Sequence, residues 1–187
     1  YPSHPDKPIL DNISFNVRPG QTIAIVGPTG SGKSTIVKLL LGLYEGYAGS
    51  ILLDQYELRD TNTKSIRNHI ATVGQDAKLF NRSVLFNITL GNPLISREDA
   101  LQAIKLANAE HVIDGLPNGI DSPLNQFGHQ LSSGEAQLIS FARALASPCP
   151  LILLDEATAN IDTINEHAIQ KATSELLNQR TVIVIAH

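Results

Sequence analysis

Ile23-Ala24-Ile25-Val26-Gly27-Pro28-Thr29-Gly30-Ser31-Gly32-Lys33-Ser34-Thr35 sets an apolar run, a glycine-rich turn and the start of a helical pattern in that order. This order builds a cradle for nucleotide phosphates. Gly27, Gly30 and Gly32 let the backbone turn tightly and aim successive N–H groups inward. A helix opening near Lys33 points its positive end at the same place. In such a loop the lysine, here Lys33, supplies a full charge for the β- and γ-phosphates. Ser34 supplies a hydroxyl for Mg²⁺. The residues expected to line the phosphates therefore run from Gly27 through Pro28, Thr29, Gly30, Ser31, Gly32, Lys33 and Ser34 to Thr35.

The chain has 187 residues, enough for one ordinary domain with a sizeable core. Its apolar content is 42%, its charged content 17% and its formal net charge −4, which fits a globular chain. The basic residues are scattered and form no run, so no nucleic-acid partner is expected. No apolar stretch approaches the roughly 20 residues that cross a bilayer. The single cysteine, Cys149, supports neither a disulfide framework nor a cysteine metal site and is expected as a small residue at a strand entrance. His4, His69, His111, His129 and His167 lack metal-ligand spacing and are expected at the surface. The sequence starts at Tyr1, contains no Met and stops at His187 on an apolar run. It is expected to be a domain truncated at both ends.

Residues 9–17 alternate loosely and suit an early strand closed by Arg18-Pro19-Gly20. Residues 21–26 suit a strand buried on both faces of a parallel sheet. Helical periodicity follows over 33–43, and Gly46 and Gly49 interrupt the chain before a short strand over 50–54. A short helix over 63–70 and a strand over 70–73 come next. Beyond Gln75 the strand signal fades; helices are expected at 83–90, 97–107, 109–115 and 134–146. Strands return at 151–154 and 181–186, around a helix over 163–178. The fold class is α/β: a core of residues 1–76 and 148–187 interrupted by a helical subdomain over 77–147.

Leu151-Ile152-Leu153-Leu154-Asp155-Glu156 is an apolar strand ending in two carboxylates. In an open parallel sheet ligands sit at the carboxyl ends of strands, where Gly27 and Asp155 would meet. Asp155 would hold Mg²⁺, directly or through water. Glu156 would activate or orient a hydrolytic water.

Leu131-Ser132-Ser133-Gly134-Glu135, followed by a helix carrying Ala142-Arg143-Ala144-Leu145, resembles the Leu-Ser-Gly-Gly-Gln signature of the ATP-binding-cassette (ABC) ATPases. The resemblance implies a P-loop NTPase (RecA-like) core with an ABC helical subdomain and an N-terminal antiparallel β portion. It also implies a role for several isolated residues. Tyr1 is similar to the aromatic residue that stacks on adenine, and Gln75 to the glutamine that senses Mg²⁺ and water. Asp162, in Ala159-Asn160-Ile161-Asp162, is similar to the D-loop aspartate that helps join two monomers. His187 is similar to the switch histidine that contacts the γ-phosphate. Lys78–Ile88 and Leu116-Pro117-Asn118-Gly119-Ile120-Asp121-Ser122 resemble exporter segments.

Several positions depart from that pattern. Ser133 replaces a glycine, and Glu135 replaces the glutamine and puts a negative charge near the neighbour's phosphate site. Gln126 stands where exporters often carry glutamate, and Ala159-Asn160 replaces Ser-Ala. Such changes suit one half of a heterodimer with unequal sites, although a homodimer stays open.

The resemblance implies ATP and Mg²⁺ as cofactors and a second nucleotide-binding domain as partner. Ser132, Ser133, Gly134 and Glu135 of one copy would cap the γ-phosphate held by Lys33 of the other. Lys33, Gln75, Glu156 and His187 would serve hydrolysis, and Ser34, Gln75 and Asp155 the metal. It further implies a transmembrane domain fused N-terminally, with this domain on the cytoplasmic face of a membrane and ATP hydrolysis powering export. An importer ATPase subunit, or a soluble ABC ATPase acting on DNA or ribosomes, is the alternative.

Overall fold

The structure, a computed structural model, describes residues 8–124, 131–155 and 163–186. The chain runs through β1 (Thr22–Val26), α1 (Lys33–Leu40), β2 (Leu52–Leu53), β3 (Tyr56–Glu57), α2 (Thr63–His69) and β4 (Ile70–Val73). It continues through α3 (Val84–Thr89), α4 (Arg97–Leu106), α5 (Glu110–Asp114), α6 (Ser133–Ala146), β5 (Leu151–Asp155), α7 (Thr163–Gln179) and β6 (Thr181–Ala186). A four-stranded sheet has the order β1-β6-β5-β4, every pair parallel, and β2 and β3 form a separate antiparallel hairpin.

Strand alternation sorts the core into two layers. Ile152 and Leu154 of β5 and Val182 of β6 join the cluster that holds α6, α7 and the helices of the insert. Leu151 and Leu153 of β5 and Ile183 and Ile185 of β6 face the opposite cluster, with Val37 of α1 and Ile66 of α2. β5 is thus apolar on both sides. The larger layer centres on α6, where Leu138, Ile139 and Phe141 are fully buried. Each such side chain contributes about 1.5–3 kcal/mol through burial. α6 stops because Pro148 forces Ser147 to an extended ψ of 135°.

Three expectations need correcting. Residues 9–17 form no strand, because they find no ladder partner among the described residues, and Ile13 and Phe15 stay exposed. β1 is not buried on both faces. Among the described strands it lies at the sheet edge, where Ile23 and Ile25 pack inward on the α1 side while Thr22, Ala24 and Val26 are exposed, Val26 at 70%. The apolar run is satisfied by one face only, since β6 rather than β1 takes a place between two strands. Helix α1 also ends earlier than its periodicity suggests. Gly42 adopts a φ of 63°, its N–H bonds Leu39 O at 3.0 Å, and Leu43 N–H bonds Lys38 O at 2.9 Å, which closes the helix.

The β2–β3 hairpin is organised by one carboxylate. Glu57 accepts from Tyr47 Oη at 3.0 Å, from Ile51 N at 3.1 Å and from the Ser50 hydroxyl, with Arg59 Nε 3.5 Å away. The Ser50 hydroxyl and then the Ile51 amide hold its pKa down to about 2. A carboxyl whose pKa is lowered by folding stabilises the fold above its unfolded value, about 4.3, and loses that contribution as pH falls through its folded value. The melting temperature of the wild type should therefore exceed that of Glu57→Gln at pH 6, and the gap should close as pH drops toward 2. A gap independent of pH would remove the carboxylate from this role.

Candidate nucleotide site

All four parallel strands end on one edge. The register pairs Val26 with Ala186, Asp155 with Ile185 and Val73 with Leu154. Gly27, Asp155 and Gln75 therefore leave the sheet at the same side. β6 separates β1 from β5, so at about 4.8 Å per strand the glycine turn and Asp155 stand roughly 10 Å apart across the edge. Gln75 is exposed just beyond β4, the strand beside Asp155. A crevice at the carboxyl ends of parallel strands is where such folds take their ligands.

The glycine turn is shaped as its sequence requires. Gly30 and Gly32 have φ of 84° and 95°, values that a side chain would strain. A Cβ on Gly27 would come within 2.9 Å of Ser31 Oγ, and one on Gly32 within 2.7 Å of Leu10 Cδ2. Lys33 is 6% exposed and folds back over the loop. Its Nζ donates to Gly27 O at 2.6 Å and to Pro28 O at 3.2 Å. Two N–H groups of the expected cradle turn into the loop itself: Ser31 donates to Pro28 O at 3.1 Å and Thr35 to Gly32 O at 2.9 Å. Pro28, Thr29 and Ser34 are exposed, and Thr35 is half-buried.

Comparison of helix starts explains why this loop suits an anion. α4 and α6 each close their first turn with a capping box, Ser96 with Asp99 and Ser132 with Glu135. α1 has Gly32 as N-cap, no side-chain cap and no acidic residue in its first turn. Its positive end is left for something other than its own side chains. Together with the Lys33 ammonium, the Ser34 hydroxyl and the Asp155 carboxylate, the donor set fits a phosphate chain with a hard divalent cation.

The serine-rich corner is a second helix start. Ser132 Oγ accepts from Glu135 N at 3.2 Å, and Glu135 Oε2 accepts from Ser132 N at 2.7 Å. The Glu135 carboxylate is thus folded onto its own helix. Accepting from Glu135 leaves the Ser132 hydroxyl proton available to donate outward. Ser133 is exposed, whereas Gly134 is buried. Tyr1, Glu156, Asp162 and His187 lie outside the described residues, as do Gln126 and Ala159-Asn160. β6 does carry the chain to Ala186, in register with Val26 at the same edge.

Residues passed over in the sequence also shape this region. Asn87 is fully buried and its side chain accepts from Phe80 N at 2.7 Å and donates to Phe80 O at 2.9 Å. Arg143 Nε donates to Asn87 O at 2.7 Å. Gln137, 3% exposed, donates to Gly74 O at 3.1 Å. The available signal was a polar side chain inside an otherwise apolar helical stripe. Among the described residues, His69, His111 and His167 are exposed and no cluster could hold a metal through histidine, cysteine or carboxylates. Cys149 is buried just ahead of β5.

The parallel sheet, the glycine turn and the open helix start define a P-loop nucleotide-binding domain. The family described as ABC transporter matches residues 10–159. The chain is 43% identical over 182 residues to the ATP-dependent lipid A-core flippase of Chromobacterium violaceum, covering 97% of this chain and 31% of that protein. It is 44% identical over 187 residues to multidrug resistance protein pgp-1 of Caenorhabditis elegans, covering 100% of this chain and 14% of that one. A solved bacterial Atm1-family ABC exporter with ATP bound superposes with a TM-score of 0.84 at 39% identity, covering 97% of this chain and 32% of that chain. The chain belongs to the ABC transporter family. It spans about a third or less of the length of these relatives.

Proposed function

We propose that this domain binds ATP at the carboxyl edge of its sheet and hydrolyses it to drive export across a membrane. The carrying observation is the α1 start, left without a side-chain cap, beneath Lys33 and on the same edge as Asp155. The similarity to a lipid flippase, to a multidrug resistance protein and to an exporter supports the transport reading over an importer or a soluble ATPase.

Lys33 Nζ would turn from the carbonyls of Gly27 and Pro28 to the phosphates, and the N–H groups of the 27–35 turn that are not bonded within the loop would hold phosphate oxygens. Ser34, Gln75 and Asp155 would hold Mg²⁺, which would supply neutralisation of the phosphate charge. Glu156 polarises the attacking water, His187 steadies the γ-phosphate, and Tyr1 stacks on adenine. Ser132 and Gly134 of a second copy or a similar domain seal the site, with Asp162 at the junction. Glu135, turned onto its own helix, leaves Ser132 to meet the phosphate. Closure then completes the catalytic constellation and reopening follows loss of the γ-phosphate. The core of 1–76 and 148–187 carries the nucleotide. The insert over 77–147 faces a transmembrane domain joined N-terminally, with this domain at the cytoplasmic face.

A cross-linking experiment tests the sandwich. In the intact protein, Thr29→Cys in one copy and Ser133→Cys in another should form a disulfide when ATP is bound and hydrolysis is blocked, and much less without nucleotide. Equal cross-linking in both conditions, or none in either, would sink the shared site. ATP-driven movement of a lipid or amphipath in reconstituted vesicles tests export.

A further inference from the structure

Gln137 lies in the second turn of α6, a helix that begins at the Ser132 corner. Its neighbours Leu138 and Ile139 are fully buried, and it is 3% exposed itself. A buried amide is costly unless bonded, so its bond to Gly74 O at 3.1 Å fixes where the amide points. Gly74 follows the last residue of β4 and precedes Gln75. Further along α6, Arg143 Nη2 donates to Lys78 O at 3.3 Å, and its Nε donates to Asn87 O at 2.7 Å. Asn87 in turn grips both backbone groups of Phe80, at 2.7 and 2.9 Å. One helix therefore holds the segment after β4 at its first residue and again near its end.

We infer that Gln137 is a positioning residue for Gln75. It sets the direction in which the chain leaves β4 beside Asp155, and it ties that exit to the helix whose start is Ser132. When Ser132 engages a neighbour's nucleotide, any tilt of α6 is carried through Gln137 to Gln75 of its own copy. The two nucleotide sites of a pair would thus be coupled through the Gln137 amide and the Gly74 carbonyl. The inference rests on the proposed role of Gln75 toward the metal.

The test uses the intact protein with a non-hydrolysable ATP analogue and Mn²⁺ as the probe, read by electron paramagnetic resonance. Gln137→Met keeps the side-chain volume and removes the donor; Gln137→Glu keeps the shape and replaces the donor by an acceptor. Mn²⁺ affinity should weaken roughly tenfold in Gln137→Met and in Gln75→Ala, as loss of a group that orients a metal site does elsewhere. Analogue affinity in EDTA should stay unchanged, and kcat should fall without a rise in KM for ATP. A purely structural role would lower the melting temperature and leave Mn²⁺ affinity alone. Weakening in Gln75→Ala only overturns this inference and leaves the role of Gln75 standing. Weakening in neither variant overturns that role and the inference with it, and weakening in Gln137→Met only overturns the link between the two. Should Gln137→Met fail to fold, Gln137→Glu carries the same comparison.

Discussion

Lys33→Met in the intact protein is expected to lower kcat/KM for ATP hydrolysis by about 10²–10³-fold, or roughly 3–4 kcal/mol of transition-state stabilisation. Lys33 is the buried cation of the glycine turn, held at 2.6 and 3.2 Å by the carbonyls of Gly27 and Pro28. Methionine preserves most of the stem that packs at the start of α1 and removes the charge. Some stability should be lost as well, because hydrogen bonds from a charged donor contribute about 1.5–3 kcal/mol each, so the activity is read on protein that its melting curve shows to be folded. Arginine should not rescue the activity. Its planar fork cannot occupy the space of an ammonium tucked under a tight turn. Steady-state ATPase and titration with a fluorescent ATP analogue, each against a melting curve, check the result. A folded Lys33→Met protein that hydrolyses ATP at the wild-type rate would dismiss the phosphate cradle.

Glu156→Gln is expected to act on turnover and not on binding. Asp155 ends β5 at the ligand edge, paired in register with Ile185 of β6, and Glu156 is the next residue. If Glu156 polarises the attacking water, an amide in its place removes the base while keeping the size of the side chain. A fall in kcat of about 10²–10⁴-fold is the usual cost of losing a positioned base. ATP affinity should hold, and the closed pair should accumulate because its exit depends on hydrolysis. The Thr29-to-Ser133 cross-link would report that accumulation directly, as a yield that persists long after ATP is added. Unchanged steady-state ATPase in Glu156→Gln would refute the assignment and move the search for the base elsewhere on the edge.

The corner at Ser132 bears on both outcomes. Read as a string, Glu135 introduces a negative charge where a neighbour's phosphate should sit. In the fold its carboxylate accepts from Ser132 N at 2.7 Å and is committed to the first turn of α6. The substitution is thereby absorbed as a helix cap, a contribution of about 1 kcal/mol to the helix start. It still lessens the positive potential that α6 can offer an anion, because the carboxylate lies within the turn where the dipole acts. This gives a physical basis for unequal sites should the domain pair with a different partner.

What the sequence determined by itself was local. The spacing of Gly27, Gly30, Gly32 and Lys33 dictates a turn followed by a helix, because backbone freedom and the N–H donors of a helix start act within a few residues. The apolar run from Leu151 to Leu154 and the carboxylate that ends it were legible for the same reason, as were the helices that lie between β4 and β5. Tertiary structure decided the rest. Nothing near Thr22–Val26 says that β6 will take the interior place and leave Val26 exposed; that follows from which strands pair. Residues 9–17 alternate as a strand would, yet alternation without a partner strand makes no ladder. Gln137 reaches Gly74 across 63 positions of sequence, and only the packing of α6 against the sheet brings them together. Periodicity encodes which face of an element is apolar, while the identity of the surface that covers it is a property of the whole fold.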